Sequence, residues 1–530
     1  MIPAQSIKTA QTTIPYPLAS PVGGLNGRDP IAAMPPSDAY VMDNIIPRAA
    51  FCEARKGTTF FSTASLNAPV QTLDVYSGGG NPDVMLAWAG TKIYNVTTGT
   101  PVEIVSGMNS ALAINAMFSN AADNAQFLIS VTGVDTPKKF DGAAMSDLVL
   151  TGITDGTPEQ LGFVFTFKGR LYFAQRGKLG FYYLPPGQIQ GALEYFDLGA
   201  VSKLGGTLVS IASYSQAGET PDDYIVFITS NGECIVYSGS DPSSSTDWAI
   251  VGRFFSAPPI GANCALYYNN ELTLLTQEGA LPFSLIRERG QAKAQGVESG
   301  TDYAITSKLG KWFTDYTVYR NVPGWQAVQY PLAGLLVINV PGSNSIAGDF
   351  YHFVMNTTTR SWCRFTGWNG LCFTVLNGRL YYGRYDGYIM LADEGRNDAG
   401  NEIKVDCKQA YSYFADDRGA GPLAKHFQWA TLTVSCDGAP PITGKLSVNF
   451  KETRPDYFTS IPDNVGSDWD TATWDQASWA SGGTIRQVTI TLNDQGYAAS
   501  LWVRLALNNL DFQWYSTQFT FQKTAGLSPI

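Results

Sequence analysis

Charge is scarce in this chain. Asp, Glu, Lys and Arg make up 15% of the residues, against roughly 25% in an average soluble protein. Histidine is scarcer still. His352 and His426 are the only two and lie far apart in sequence, which nearly excludes His-rich metal sites and His-based catalytic triads. The cysteines at 52, 234, 264, 363, 372, 407 and 436 form no Cys-x-x-Cys pair and are odd in number. Reduced, mostly buried thiols made in a cytoplasm are therefore expected. Met1-Ile-Pro-Ala-Gln-Ser lacks the charged-then-apolar pattern of a secretion signal. The longest apolar run, near Leu335–Val340, is far short of the roughly 20 residues of a membrane helix.

Catalytic patterns are missing too. There is no Gly-x-Ser-x-Gly, Walker A, dinucleotide fingerprint or His-Glu-x-x-His. The acidic pairs Asp222-Asp223, Asp393-Glu394 and Asp416-Asp417 sit in turn-like text, where adjacent carboxylates are solvated, and nothing selects a glycosidase pair. The oxygen-rich stretch 393–402 lacks the ligand order of an EF-hand. The expectation is no catalytic residue, no cofactor and no metal: not an enzyme. A net charge of −10 also argues against an ordinary nucleic-acid binder, which needs a basic footprint. It is compatible with a surface that DNA slides past.

What the chain does have is aromatic residues, 13% of the total, which suit a β-rich protein with extensive interfaces. At 530 residues it is long enough for two to four domains. From about residue 68 the text becomes short segments rich in Val, Ile, Phe and Tyr, separated by Gly, Asn, Asp and Pro. A phrase recurs within it: Phe167-Lys-Gly-Arg-Leu-Tyr-Phe173 and Leu376-Asn-Gly-Arg-Leu-Tyr-Tyr382, with looser relatives at Trp88–Tyr94, Thr229–Val236 and Tyr268–Thr273. Each reads as strand, tight turn, strand. Hairpins at irregular spacing fit a β-propeller of six blades with insertions better than a run of irregular sandwiches. Residues 285–321 break the pattern and read as an insertion whose basic residues, Arg287, Arg289, Lys293, Lys308 and Lys311, form a solvated face.

Residues 400–530 alternate apolar and polar as half-buried antiparallel strands do. Among them Trp469, Trp474 and Trp479 recur at a spacing of five. This suits a loop whose rings pack on a neighbouring surface, or equally a clip within the domain. At the other end, residues 16–57 are rich in glycine and proline and carry no sustained period. They contribute edge strands at most. Leu25, Ile31, Met34, Val41, Ile45 and Ile46 are too few for a core and must be buried against another surface. A flexible leader would be enriched in Ser, Lys and Glu instead.

Two sets of residues together resemble one family. The first is Gly23-Gly-Leu-Asn-Gly-Arg-Asp-Pro30 with Met34-Pro-Pro-Ser-Asp-Ala39, Asp43-Asn44, Pro47 and Arg55-Lys-Gly57. The second is Gly324-Trp-Gln-Ala-Val-Gln-Tyr-Pro331, Leu335–Pro341, Phe353–Thr357, Trp362-Cys-Arg-Phe365 and Gly378–Gly383. They resemble the tail nozzle proteins of short-tailed bacteriophages, the tail tubular protein B type, and the loop 469–479 looks like members of the same group. The resemblance implies an all-β fold in which an arm (1–66) and a β-sandwich-like C-terminal region (396–530) build a platform beside a propeller (67–395). It implies a homo-hexameric ring in the virion tail that docks on the tail adaptor ring and meets tail fibres or spikes. Genomic double-stranded DNA would pass through its lumen without sequence-specific binding, held until ejection. Arg28, Asp29, Asp43, Asn44, Arg48, Trp469, Trp474 and Trp479 are the candidate assembly contacts. The other expectation, from a different class, is a glycan-binding or glycan-degrading β-propeller tail protein.

Overall fold

The computed structural model describes residues 13–78, 82–121, 124–215, 224–294, 304–415, 423–438, 440–457 and 484–523. The chain divides into two compact units. One comprises Met1–Thr58, Phe353–Gly367 and Asp393–Ile530, the other Thr59–His352 and Trp368–Ala392. The first boundary thus falls at Thr58, short of residue 66, and the inner segment Phe353–Gly367 belongs with the two chain ends.

The larger unit is propeller-like. Val70–Tyr76, Val84–Ala89, Lys92–Asn95 and Val102–Ser106 form a four-stranded antiparallel sheet in sequence order. The pattern repeats in residues 114–147, 161–197 and 208–255. Ala265–Tyr268, Glu271–Thr276 and Gly279–Pro282 make a three-stranded sheet. Another begins with Gln326–Tyr330 and Leu335–Pro341. The last comprises Gly370–Leu376, Arg379–Arg384 and Ile389–Ala392, and Phe61 and Ser62 bond from its far side to the Ile389 carbonyl. Among the described residues six such sheets stand by themselves, and the hairpin of residues 326–341, which belongs to a nine-stranded sheet, takes a seventh place in the series, where six blades were expected. The sixth hairpin turns through Pro331–Ala333 and Gly334 (φ 64°) and so lacks the recurring Gly/Asn phrase.

The recurring phrase has a backbone cause. Lys168 and Gly169 (φ 42° and 71°), like Asn377 and Gly378 (51° and 74°), occupy the left-handed region. They close two-residue turns between Phe167 and Arg170 and between Leu376 and Arg379. Two such residues in succession match the twist of the strands they join. The apolar cores lie between successive sheets. Trp88, Leu86, Leu128 and Phe140 pack between the first and second. Phe181 stacks on Phe227 at 4.4 Å between the third and fourth. Val70, Met85, Cys372 and Tyr381 join the last to the first, which closes the series.

The fifth sheet lacks a fourth strand because Pro282 leads directly into the helix Phe283–Ala294. The Glu271 carboxylate accepts the Ser284 N–H at 3.0 Å, answering one of the helix's unpaired N-terminal donors. Arg287 on this helix is not on a solvated face as expected. Its guanidinium donates to the Tyr214 hydroxyl at 3.1 Å and lies over the Tyr214 and Phe254 rings.

In the smaller unit, one sheet runs in the order Trp362–Phe365, Asp38–Asp43, Ile403–Gln409, Ala499–Leu507 and Thr443–Val448. Gly24–Leu25 lies parallel to residues 38–39. A second runs Thr484–Gly496, Lys425–Cys436, Phe512–Lys523, Cys52–Ala54 and Ile45–Pro47. Thr13–Ala19 pairs along Phe512–Lys523, from Thr13 opposite Gln522 to Ala19 opposite Ser516. The buried Phe414 ring meets Phe427, Phe519 and Phe521 at 5.0–5.7 Å. All seven cysteines are free and buried. Burial pushes the Cys52, Cys264 and Cys372 thiols up to about 12.

Candidate functional site

The arm residues singled out from sequence fall into two groups. Gly23–Pro30 is an ordered loop around Asn26, whose side chain is fully buried. Its amide donates to Asp29 (2.8 Å) and Asp38 (2.7 Å), and its oxygen accepts the N–H groups of Arg28 and Asp29. Gly24 has φ 85°, and a Cβ there would stand 2.7 Å from the Trp362 carbonyl oxygen. No other residue type fits this approach. Arg28 and Asp29 pair with each other at 2.9 Å on the exposed rim of the loop.

Asp43 and Asn44 face inward. Arg364 grips Asp43 with two bonds of 2.7 Å. Strand register sets Arg364, Asp43, Asp406, Arg504 and Thr443 in one row across the sheet. Directly opposed residues share a face. Asp406 also accepts from Arg454 (2.7 Å) and the Trp502 indole, and Arg504 lies 3.0 Å from it. Burial raises the Asp43 carboxyl above the ordinary range, and the Arg364 charge only partly offsets it. Two residues along from Asp406, Lys408 is buried among the Tyr40, Tyr411 and Trp502 rings and bonds to Glu452 at 2.6 Å. Burial lowers its pKa despite that partner.

Asn44 has φ 59°. Its amide donates to the Thr366 hydroxyl and the Lys404 carbonyl, both at 2.8 Å, while its oxygen accepts from Thr366 and Arg55. The Arg55 side chain is 1% exposed. It places all five N–H groups, on Asn44, the Lys56 and Thr366 carbonyls and both oxygens of Asp398. Arg48 pairs separately with Glu53 at 2.6 Å across the Ile45–Ala54 hairpin. Trp469, Trp474 and Trp479 lie outside the described residues.

The fold thus brings Asp43 and Asn44 into two adjacent polar networks, one through Arg364 and one through Arg55 and Thr366, and pairs Arg28 with Asp29 and Arg48 with Glu53. Sequence reasoning passed over Arg55, Arg364, Asp398, Asp406 and Arg504. Arg55 stood inside the Arg-Lys-Gly phrase, and Asp398 inside the oxygen-rich stretch dismissed as a calcium site. Chemically, the network fixes strand register. No group of three or more metal-ligating side chains occurs among the described residues, and no helix there is long and apolar enough to cross a membrane. His352 is buried against Trp368 and Phe373. His426 meets Asn493 at 3.0 Å.

The class this defines is a mostly β chain with a propeller-like unit and a second unit of two sheets. No protein-family model matches it, and no curated protein does. Among solved structures it is similar to the computationally designed protein Ika8, at 12% identity over 66% of this chain and 96% of that one, with a TM-score of 0.34. It is also similar to the extracellular domain of the hybrid two-component system BT3049 from B. thetaiotaomicron, at 13% identity and a TM-score of 0.39. That alignment covers 75% of this chain and 44% of the other. Likenesses this distant transfer no function.

Proposed function

We propose that this chain is the nozzle subunit of a short-tailed bacteriophage tail. In this reading it is a structural virion protein whose six copies close into a ring that docks on the tail adaptor and conducts and gates DNA. The observation that carries the reading is the use made of the arm's distinctive residues. Gly24 seats against Trp362, Asn26 organises the loop, and Asn44 and Arg55 reach Thr366 and Asp398. The arm strand itself completes a C-terminal sheet. A motif that served catalysis would converge side chains on a cleft. This one joins the two ends of the chain into a single unit, as a platform for ring stacking requires. With a net charge of −10 per chain, a ring is strongly acidic. An acidic lumen repels phosphate and lets duplex DNA slide.

Negative-stain microscopy and light scattering of the purified chain test this. Rings with a central channel, alone or on a portal–adaptor complex, are expected. Monomers that never join a tail complex, or turnover of a surface glycan, would overturn it.

A further inference from the structure

The second sheet of the smaller unit has edges of two kinds. On one side Thr13–Ala19 pairs along Phe512–Lys523. Pro15 and Pro17 are two residues apart, so their missing N–H groups fall on the same edge of this strand, the outer one. That edge offers few donors to a further strand. On the other side lies Thr484–Gly496, a strand of 13 residues that pairs with Lys425–Cys436 alone. It contains no proline and no lysine, the residues that usually guard an edge. Among the described residues no strand covers its outer side.

This strand keeps one alternation throughout. Its odd-numbered residues from Ile485 to Asn493 are exposed, while Val488, Ile490 and Leu492 turn inward and are half-buried or buried. Ile490 is the midpoint. Laid antiparallel on a second copy about that residue, the strand is complementary to itself. Ile490 opposes Ile490, Thr489 opposes Thr491, and Val488 opposes Leu492, so the inward apolar row runs on from one copy to the other. Arg486 and Asp494 are its only charged residues. In this register Arg486 of each copy meets Asp494 of the other, on the same face. A slip in either direction parts them.

We propose that the outer edge of Thr484–Gly496 pairs with the same edge of a second copy of this chain, so that one sheet runs through both. About a dozen main-chain hydrogen bonds form along the two strands, and the two Arg486–Asp494 pairs fix the register. Two-fold pairing consumes the edge in both copies, so association through it stops at two. The contact goes beyond the ring reading. Copies in a closed ring meet head to tail through two different surfaces, whereas this contact joins two single chains or two rings.

Analytical ultracentrifugation of the full chain between about 1 and 100 μM tests it. The particle present at low concentration, a single chain or a ring, is expected to double in mass as concentration rises. Hydrogen exchange should show main-chain protection appearing over 484–496 in step. Arg486→Asp and Asp494→Arg each set like charges opposite one another and are expected to weaken the doubling about ten-fold. Mixed in equal amounts, the two variants place every acid opposite an arginine again and are expected to associate as wild type does. Circular dichroism identifies a variant that has failed to fold, and the doubly reversed chain R486D/D494R, expected to double as wild type does, then takes the place of the mixture. No doubling up to about 100 μM, protection over 484–496 that is the same at every concentration, or single reversals that double as wild type does would overturn the proposal. A chain that doubles without ever forming rings supports this contact and overturns the ring reading alone.

Discussion

The two units reach their order by opposite means. In the propeller-like unit most sheets are made from strands that follow one another in sequence, so turn chemistry sets register locally and aromatic stacks such as Phe181 on Phe227 weld one sheet to the next. The other unit assembles strands from 13–58, 353–367 and 393–523. No short turn can set register between strands hundreds of residues apart. A slip of one residue would move every side chain to the wrong face, and apolar burial alone discriminates poorly among such slips. Arg364, Asp43, Asp406 and Arg504 in one row, with Arg55 locked on Asn44 and Asp398, provide directional contacts that one register satisfies. The lesson is that polar networks concentrate where the chain closes over long range.

Breaking that network is the strongest test of the contrast. Arg55→Ala leaves Asp398 and the Asn44 oxygen buried without their partner and is expected to cost about 3–5 kcal/mol. Hydrogen exchange should show protection lost in 24–58, 362–367 and 398–409 while the sheets of 70–255 keep theirs. Loss spreading through 70–255 would show that the units do not differ in this way.

A smaller effect sharpens the comparison through pH. In the propeller-like unit, burial would raise the Glu233 carboxyl, but the Ser202 hydroxyl and the main-chain N–H groups of Leu204 and Lys203 outweigh it and hold it below the usual range. A depressed carboxyl stabilises the fold above its unfolded value of about 4.3 and loses that contribution as pH falls through the lower folded value. Glu233→Gln is therefore expected to cost about 1–2 kcal/mol at neutral pH, with the gap from wild type closing below about pH 4 in denaturant titrations. Asp43 runs the other way. Its carboxyl is raised by burial, so the folded state takes up its proton first. Its contribution grows as pH falls through the folded value toward about 3.9.

The smallest effect lies in the turns. Lys168 holds φ 42° at a position that favours Asn or Gly. Lys168→Asn is expected to stabilise by roughly 0.5 kcal/mol, after losing the contact of its ammonium with Phe167. A thermal melt would show a small rise, and an unchanged or lower midpoint would mean that the turn does not limit this sheet.

The same contrast explains what could be read in advance. The Lys-Gly and Asn-Gly turns and the alternating strands are short-range patterns, each visible in a few consecutive residues, whereas the arm, expected to supply edge strands at most, places Asp38–Asp43 inside a sheet between Trp362–Phe365 and Ile403–Gln409, because that position depends on distant partners. The sixth sheet was hidden because its hairpin turns through Pro331 and Gly334 rather than through the recurring phrase. Arg287 read as solvated because nothing adjacent in sequence shows that Tyr214 and Phe254 flank it. Of the candidate contacts, Asp43 and Asn44 stood in a recognisable phrase, yet their partners Arg364, Thr366 and Lys404 lie more than 300 residues away.

By itself the amino-acid sequence determined the predominance of β-structure, the hairpin turns and the free state of widely spaced cysteines. These follow from local backbone preference and from inventory. Only the tertiary structure decided that Asp43 meets Arg364 and that Arg55 closes on Asn44 and Asp398. Such encounters depend on which distant strands become neighbours, and no local preference encodes that.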